Sequence, residues 1–198
     1  MNERIDQLIS KIKELEHELR QELQQKQEAF LYRIERNKVR FEAGVKERHR
    51  KLTLKLHRYL FDASLRTILT VPFIWGCLAP ALFMDLVVTI FQAVCFPVYG
   101  IPKVKRGQHI VLDRHALAYL NLIEKINCMY CSYFNGLISY IREIAARTEQ
   151  YWCPIKHARR VSSLHSRYRY FFDYGDGENY RQKLEEVRRA FTDLKDDD

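Results

Sequence analysis

Apolar residues are concentrated in one long block of this chain. Residues 67–102 contain no Lys or Arg and a single acidic residue, Asp85. Crossing a bilayer takes about 20 apolar residues in a helix, and this block has 36. The block lies far from Met1 and follows a charged stretch, which is not the arrangement of a cleavable signal peptide. The pattern therefore predicts a membrane-inserted segment over residues 67–102.

Two forms of this segment fit its length. One is a single tilted span. The other is a pair of short helices, 67–82 and 87–101, that meet at a bend between Pro80 and Asp85. Asp85 lies near the midpoint, so we expect it at the polar tip of such a hairpin; the alternative is an intramembrane ion or proton site, because charge at depth is costly.

Basic residues flank the apolar block on both sides. Residues 46–66 carry seven basic and two acidic side chains, and residues 103–169 carry twelve and four. Positive residues prefer the cytoplasmic side of a membrane. A hairpin with both ends in the cytoplasm fits this pattern better than a single crossing.

A helical pattern precedes the apolar block. Residues 3–58 contain no Pro and a single Gly, Gly44. The 3-4 spacing of a coiled coil is followed by Ile5, Leu8, Ile12, Leu15 and Leu19. A looser stripe continues through Phe30, Ile34, Phe41 and Val45. The sequence leaves two interpretations open: oligomerisation through a coiled coil, or packing of this helix on the chain's own C-terminal helices.

After the block, the pattern predicts a long helix over residues 114–151, with Asp113 as its N-cap. Pro154 is suited to the first position of a further helix, with Cys153 as its N-cap and a thiolate favoured there by the helix dipole. His157 would then lie one turn further along the same face.

These residues form the pattern Cys128-x2-Cys131-x21-Cys153-x3-His157. Three thiolates and one imidazole are a ligand set of closed tetrahedral zinc sites, which makes zinc the candidate cofactor. On an unbroken helix, however, Cys131 and Cys153 would lie over about 30 Å apart. A shared site therefore requires a break in the helix, at Asn135-Gly136 or at Arg147-Thr148. The alternatives are buried packing cysteines and a thiol–disulfide pair.

The charge and the Gly and Pro content limit the fold classes and the kinds of partner that the sequence suits. The chain has 33 basic and 25 acidic residues, a formal charge of +8, with 7 Gly and 5 Pro. So few turn-forming residues disfavour an all-β fold with many tight turns. Residues 159–174 interleave Arg with Tyr and Phe, which suits either nucleic-acid bases or anionic headgroups. Beside an apolar block, the sequence favours headgroups over nucleic acid.

Two stretches carry a family resemblance. They are ARTEQYWCPIKHARR and YRYFFDYGDGENYRQKLEEVR. Over residues 97–192 the chain resembles a family of uncharacterised, mainly proteobacterial, small membrane-associated proteins. The resemblance implies a bacterial protein and brings no activity with it.

Together these patterns predict an all-α protein with three parts: a charged helical arm (1–66), a membrane-inserted segment (67–102) and a Cys/His-containing helical domain (103–198). We expect a non-catalytic membrane-associated scaffold in the bacterial inner membrane, with both ends cytoplasmic. Residues 3–58 would bind a protein partner or a second copy. The rival interpretation is a membrane-bound redox enzyme that uses Cys128, Cys131, Cys153 and His157.

Overall fold

A computed structural model describes residues 3–35, 38–42, 44–61 and 64–194. The described chain is mostly helical with a small two-stranded sheet. Its elements are α1 (Glu3–Ala29), β1 (Tyr32–Glu35), β2 (Lys38–Phe41), α2 (Val45–Lys51), α3 (Leu56–Phe61), α4 (Leu65–Gly76), α5 (Leu78–Tyr99), α6 (Arg106–His109), α7 (Leu122–Trp152) and α8 (Gly177–Arg189).

The chain divides into two compact units. Unit 1 comprises the described residues of 1–62 together with 113–128, and unit 2 comprises those of 63–112 and 129–198. The apolar segment therefore belongs to the same unit as most of the C-terminal residues.

In unit 1, α1 is a long helix whose apolar stripe is exposed. Ile12, Leu15 and Leu19 are 55–62% exposed, so these side chains are not covered by the other elements of unit 1. The side chains of Ile5 and Leu8 lie outside the described part of the structure.

The prediction of one helix through residue 58 is wrong, because a β-hairpin follows α1. β1 and β2 pair antiparallel, with Tyr32 opposite Phe41 and Ile34 opposite Val39. These four apolar residues share one face of the hairpin, since side chains alternate along a strand. The residues that join the strands lie outside the described residues.

In unit 2, α4 and α5 form one apolar helical segment. They are joined through Cys77, which itself keeps right-handed helical backbone angles (φ −65°, ψ −18°). A single helical residue does not reverse the chain, and α5 continues through Asp85 without a break. The predicted hairpin with its bend between Pro80 and Asp85 is therefore wrong. Pro80 lies in the first turn of α5, where its missing N–H leaves no helical hydrogen bond unmade.

α5 ends at Gly100, which has a left-handed conformation (φ 68°). The Ile101 N–H donates to the Phe96 carbonyl at 2.9 Å, closing the helix as in a Schellman motif. Both of these side chains are buried. The chain then doubles back along α5 as a return segment, defined here as residues 101–112.

α7 lies beside α5 and runs parallel to it. Successive contacts join Asp85 to Tyr133, Gln92 to Tyr140 and Tyr99 to Tyr151. The core between them is built from apolar side chains of α5, the return segment, α7 and the C-terminus, including Phe96, Ile101, Leu137, Tyr140, Ile144 and Phe191.

α7 begins later than the sequence predicted. Its N-terminus is a capping box: the Asn121 side chain accepts from the Glu124 N–H at 3.0 Å, and the Glu124 carboxylate accepts from the Asn121 N–H at 2.8 Å. Asp113 instead precedes a short 3-10 turn, Arg114–Ala116. From Leu122 the helix is unbroken to Trp152.

After α7 the chain does not start the helix that Pro154 predicted. Instead, the Pro154 carbonyl accepts from the Phe172 N–H, and the Lys156 N–H donates to the Phe172 carbonyl, both at 2.8 Å. Ile155 and Phe172 thus form an isolated parallel bridge. Cys153 is accordingly not a helix N-cap.

Candidate membrane-binding face

The outward face of α5 is apolar and exposed. Its large side chains are 52–76% exposed and comprise Leu82, Phe83, Leu86, Ile90, Val94 and Val98. All residues of α4 are described, and none of them is buried. In the most apolar 18-residue window of Leu65–Tyr99, mean hydropathy is 2.0 and only 22% of the residues are buried. By length and composition this segment can cross a membrane, and it is not covered as a soluble core helix would be.

The inward face of α5 carries the polar side chains. Asp85 is 8% exposed and Gln92 is 7% exposed, on the same side as Ala81 and Phe96. Soluble proteins bury apolar residues and expose polar ones. α5 has the reverse arrangement, with polar groups turned to the protein and apolar groups turned away from it.

Asp85 is held by three partners from around it. Its carboxylate forms an ion pair with the Arg106 guanidinium, accepts from the Tyr133 hydroxyl at 2.8 Å, and accepts from Thr89 at 3.4 Å. A buried carboxylate is stable only when paired and hydrogen-bonded. Asp85 is therefore not the exposed tip of a hairpin; it fastens the return segment and α7 to α5.

Gln92, two helical turns further along α5, forms a second set of polar contacts. Its amide nitrogen donates to the Tyr140 hydroxyl at 2.8 Å and to the Val104 carbonyl at 3.3 Å. Its amide oxygen accepts from the Val104 N–H at 2.6 Å. The amide thus pairs both backbone groups of Val104, which holds the return segment beside the middle of α5.

The return segment also approaches α7 at a glycine. A Cβ placed on Gly136 would lie 2.7 Å from the His109 carbonyl oxygen and 2.8 Å from the Ile110 Cα. Both are backbone atoms, which cannot swing aside as a flexible side chain would. Glycine at position 136 is therefore what lets this segment lie against α7.

This layout places cations beside the middle of α5. Because Val104 contacts Gln92 and Arg106 contacts Asp85, the exposed Lys103 and Lys105 lie along the helix rather than beyond its end. Residues 126–141 of α7 carry no Asp, Glu, Lys or Arg. The charged side chains beside the middle of α5 thus come from the return segment, since the charged residues of this part of α7 begin only at Arg142.

The four residues of the predicted zinc site are not brought together. With α7 unbroken, Cys131 and Cys153 lie about 33 Å apart along its axis, so the break that a shared site requires is absent. Among the described residues, no group of three or more His, Cys, Asp or Glu is placed to hold a metal ion. Cys128 is half-buried, and the other two cysteines of the pattern are exposed.

The pKa of the Cys153 thiol is shifted in the direction opposite to the one predicted from the sequence. Partial burial and the nearby Glu149 carboxylate raise its pKa, so the thiol form is favoured over the thiolate. His157 is exposed and not on a helix, and its backbone N–H donates to the Tyr168 hydroxyl at 3.0 Å. Because residues 153–157 do not form a helix, Cys153 and His157 do not lie one helical turn apart on a shared face.

In residues 159–174 most aromatic side chains are at least partly buried, whereas Arg167 is the one buried arginine and Arg159, Arg160 and Arg169 are exposed. Arg167 is 1% exposed and donates to Gln150, to the Ala190 carbonyl and to Asp193. Its guanidinium also lies over the ring of Tyr170, 4.4 Å from the centroid. This interleaving stabilises the C-terminal part of unit 2, which leaves Arg167 unavailable to headgroups or bases.

Sequence reasoning missed the partners that hold α5. In the sequence, Arg106 is one of several cations that flank the apolar block. Tyr133 and Tyr140 belong to the predicted long helix that contains Cys128 and Cys131. The signal that could have found them is the pair of polar residues, Asp85 and Gln92, seven positions apart within an apolar block. Seven residues are two helical turns, so both belong to one face.

Comparisons of the chain with known family models, with curated proteins and with solved structures found no match.

Proposed function

We propose that this protein is a non-catalytic membrane-associated scaffold. Its α4–α5 segment binds in one leaflet of the bacterial inner membrane, both ends lie in the cytoplasm, and α1 binds a second copy or another protein. The observation that carries the proposal is the reversed polarity of α5, whose large apolar side chains are exposed while Asp85 and Gln92 are buried.

The placement of the return segment supports binding along the membrane rather than across it. If α5 crossed the bilayer, Lys103, Lys105 and Arg106 would lie near its middle depth. Each such cation costs roughly 2.5–3.5 kcal/mol at the centre of a membrane helix. The whole 35-residue segment is also about 52 Å long, against a hydrocarbon core of about 30 Å.

Anionic headgroups are the lipid partner that these cations suit. Lys103 and Lys105 are exposed, and a basic residue near an anionic surface contributes about 1 kcal/mol. With the apolar face inserted and the amines at headgroup level, α5 would bind as interfacial helices do. This arrangement keeps both ends of the chain on one side without a hairpin.

Zinc binding and thiol redox chemistry stay predictions from the sequence pattern. α7 separates Cys131 from Cys153, and the pKa of the Cys153 thiol is raised. The proposed function therefore assigns no role to these cysteines.

Vesicle flotation tests the membrane proposal. The full chain is expected to float with vesicles containing anionic phospholipid, and less with neutral ones. The variant Leu82→Gln, Leu86→Gln, Ile90→Gln should lose flotation, since each large apolar side chain contributes roughly 1.5–3 kcal/mol when removed from water. These side chains are 52–59% exposed, so the fold, checked by circular dichroism, should persist.

The matched control places three similar changes on α1: Ile12→Gln, Leu15→Gln and Leu19→Gln. These side chains are just as exposed but lie outside α4–α5, so flotation should be kept. Equal flotation of the wild type and the α5 variant would refute the proposal.

Depth and sidedness separate binding along the membrane from crossing it. With Trp152→Phe, Trp75 in α4 is the one remaining tryptophan of the two in the chain. Bromine atoms near the headgroups should quench its fluorescence more than bromines deep in the acyl chains. Tags at the two termini should be digested by protease from the same side of membrane vesicles; digestion from opposite sides would show a crossing.

A further inference from the structure

Unit 1 contains two adjoining cavities that the membrane proposal does not use. The first, of about 630 Å³, is lined mainly by apolar and aromatic side chains, among them Phe30, Tyr32, Leu52 and Tyr119. The second, of about 590 Å³, is lined by Arg40, Lys46, Arg50 and Lys125 among others. Val39, Phe41 and Ala116 line both, so the cavities share a wall.

The β-hairpin and α2 create this division. Along β2, Val39 and Phe41 point to one face and Arg40 to the other, as alternation in a strand requires. On α2, Lys46 and Arg50 lie one turn apart and so share a face.

The second cavity is strongly positive. Four cationic side chains line it, and no carboxylate does among the residues described. Arg40 pairs with Glu35 at 3.2 Å, but both side chains of that pair are exposed, and exposed ion pairs are weak. Within the described chain, Lys46, Arg50 and Lys125 have no acidic partner within ion-pair distance.

His49, which lines the first cavity, has one buried nitrogen without a partner. His49 packs edge-on against Phe41 and Tyr119, at 5.3 Å between ring centroids in each case. Its Nδ1 is buried and makes no hydrogen bond, although buried nitrogens are normally paired. Asp113 and Arg114 also line this cavity.

We propose that these cavities form one binding site for a phosphate ester with an apolar body. Lys and Arg would bind the phosphate in the second cavity, since guanidinium and ammonium groups make strong charge-assisted hydrogen bonds to phosphate. The apolar body would occupy the first cavity. Both volumes are within the usual range of ligand pockets, about 300–1,000 Å³. The site lies wholly in unit 1 and is independent of the membrane proposal.

Calorimetric titration of the full chain in neutral phosphatidylcholine nanodiscs tests this site, with empty nanodiscs subtracted. The probes are 1-naphthyl phosphate, dodecyl phosphate, 1-naphthol and inorganic phosphate. At least one ester should bind more tightly than both inorganic phosphate and naphthol, because only an ester fills both cavities. Tighter binding of the naphthyl ester indicates a soluble aromatic phosphate; tighter binding of the dodecyl ester indicates a lipid-derived one.

Two variants test the two halves separately. Lys46→Gln with Arg50→Gln should weaken ester binding by roughly tenfold for each cation removed. Leu52→Gln, at a side chain 70% exposed, should weaken ester binding and leave inorganic phosphate binding unchanged. Lys55→Gln is the control, because Lys55 is exposed and lines neither cavity.

Circular dichroism of each variant checks that it is folded. Esters that bind no more tightly than inorganic phosphate would overturn the proposal. So would ester binding that survives Lys46→Gln with Arg50→Gln in a folded protein.

Discussion

Asp85 and Gln92 are stable inside an apolar helix because other segments supply their hydrogen bonds. The Asp85 carboxylate is paired by Arg106 and Tyr133, and the Gln92 amide by Val104 and Tyr140. An unpaired buried carboxylate or amide would cost several kcal/mol. Each residue therefore specifies which part of the return segment lies beside it, in addition to any stability it contributes.

Gly136→Ala tests the close approach of the return segment to α7. The new Cβ would lie within 2.8 Å of backbone atoms of His109 and Ile110, so the segment must shift. Overpacking of this kind typically costs about 1–3 kcal/mol, measured as a loss in the free energy of unfolding of detergent-solubilised protein.

Gly107→Ala is the matched control for that change. A Cβ there meets nothing within 4 Å and the glycine has no positive φ, so stability should be unchanged or slightly raised. Equal effects of the two substitutions would contradict the steric explanation.

At the scale of elements, the long helices were the predictable part of the fold. A helix after the apolar block was predicted from the absence of Pro and was found over Leu122–Trp152. Its start was misplaced, because Asp113 and Asn121 are both good N-cap residues and only Asn121 has a Glu three positions later. The position of that Glu was the available signal.

The β-hairpin was missed although its alternation is visible in the sequence. Tyr32, Ile34, Val39 and Phe41 alternate with charged residues, the period of a half-buried strand. The same region also supports a loose helical stripe through Phe30, Ile34, Phe41 and Val45. Short segments of this kind satisfy both periods, and pairing between two strands decides the outcome only once the chain folds.

The exposed stripe of α1 predicts an oligomer. Leu15→Gln with Leu19→Gln should lower the mass measured by light scattering in detergent, because these side chains occupy the a and d positions of a coiled coil. Glu14→Gln with Arg20→Gln, at the outward c and b positions of the same helix, should leave the mass unchanged. A wild-type protein that is already monomeric would contradict the coiled-coil interpretation.

At the scale of the whole molecule, contacts distant in sequence decide the arrangement. Asp85 and Arg106 are 21 residues apart, and Gln92 and Tyr140 are 48 apart. No local pattern indicates which cation or tyrosine will pair with a given polar residue. The apolar block and the face that carries its polar residues were therefore predictable, while the partners of Asp85 and Gln92 became evident only from the fold.

Unit 2 is expected to lose stability on acidification. Burial alone raises the pKa of both Asp193 and Glu143. Hydrogen bonds from Arg167 and Tyr170 outweigh this effect and lower the pKa of Asp193. Hydrogen bonds from Ser166 and Arg147 do the same for Glu143. Burial lowers the pKa of His109 below its ordinary 6.5. All three shifts are downward, so the stability they contribute is present at neutral pH.

The order of loss with pH follows from these directions. Below pH 6.5 the unfolded chain gains a proton at His109 before the folded one does. Below the ordinary carboxylate values of 4.5 and 3.8, the same holds at Glu143 and Asp193. The melting temperature, followed by near-ultraviolet circular dichroism, should fall gradually from pH 6.5 and steeply below about pH 4. A melting temperature constant between pH 7 and pH 3 would contradict this reasoning.

The parallel arrangement of α5 and α7 has a consequence for how the protein is made. Gln92 leaves the ribosome 48 residues ahead of Tyr140, and at about 5–20 residues per second that interval is roughly 2–10 seconds. During it, α5 is an apolar helix with two polar side chains and no partners for them. The nascent chain therefore needs either early delivery to a membrane or a chaperone that holds α5 until α7 has been synthesised.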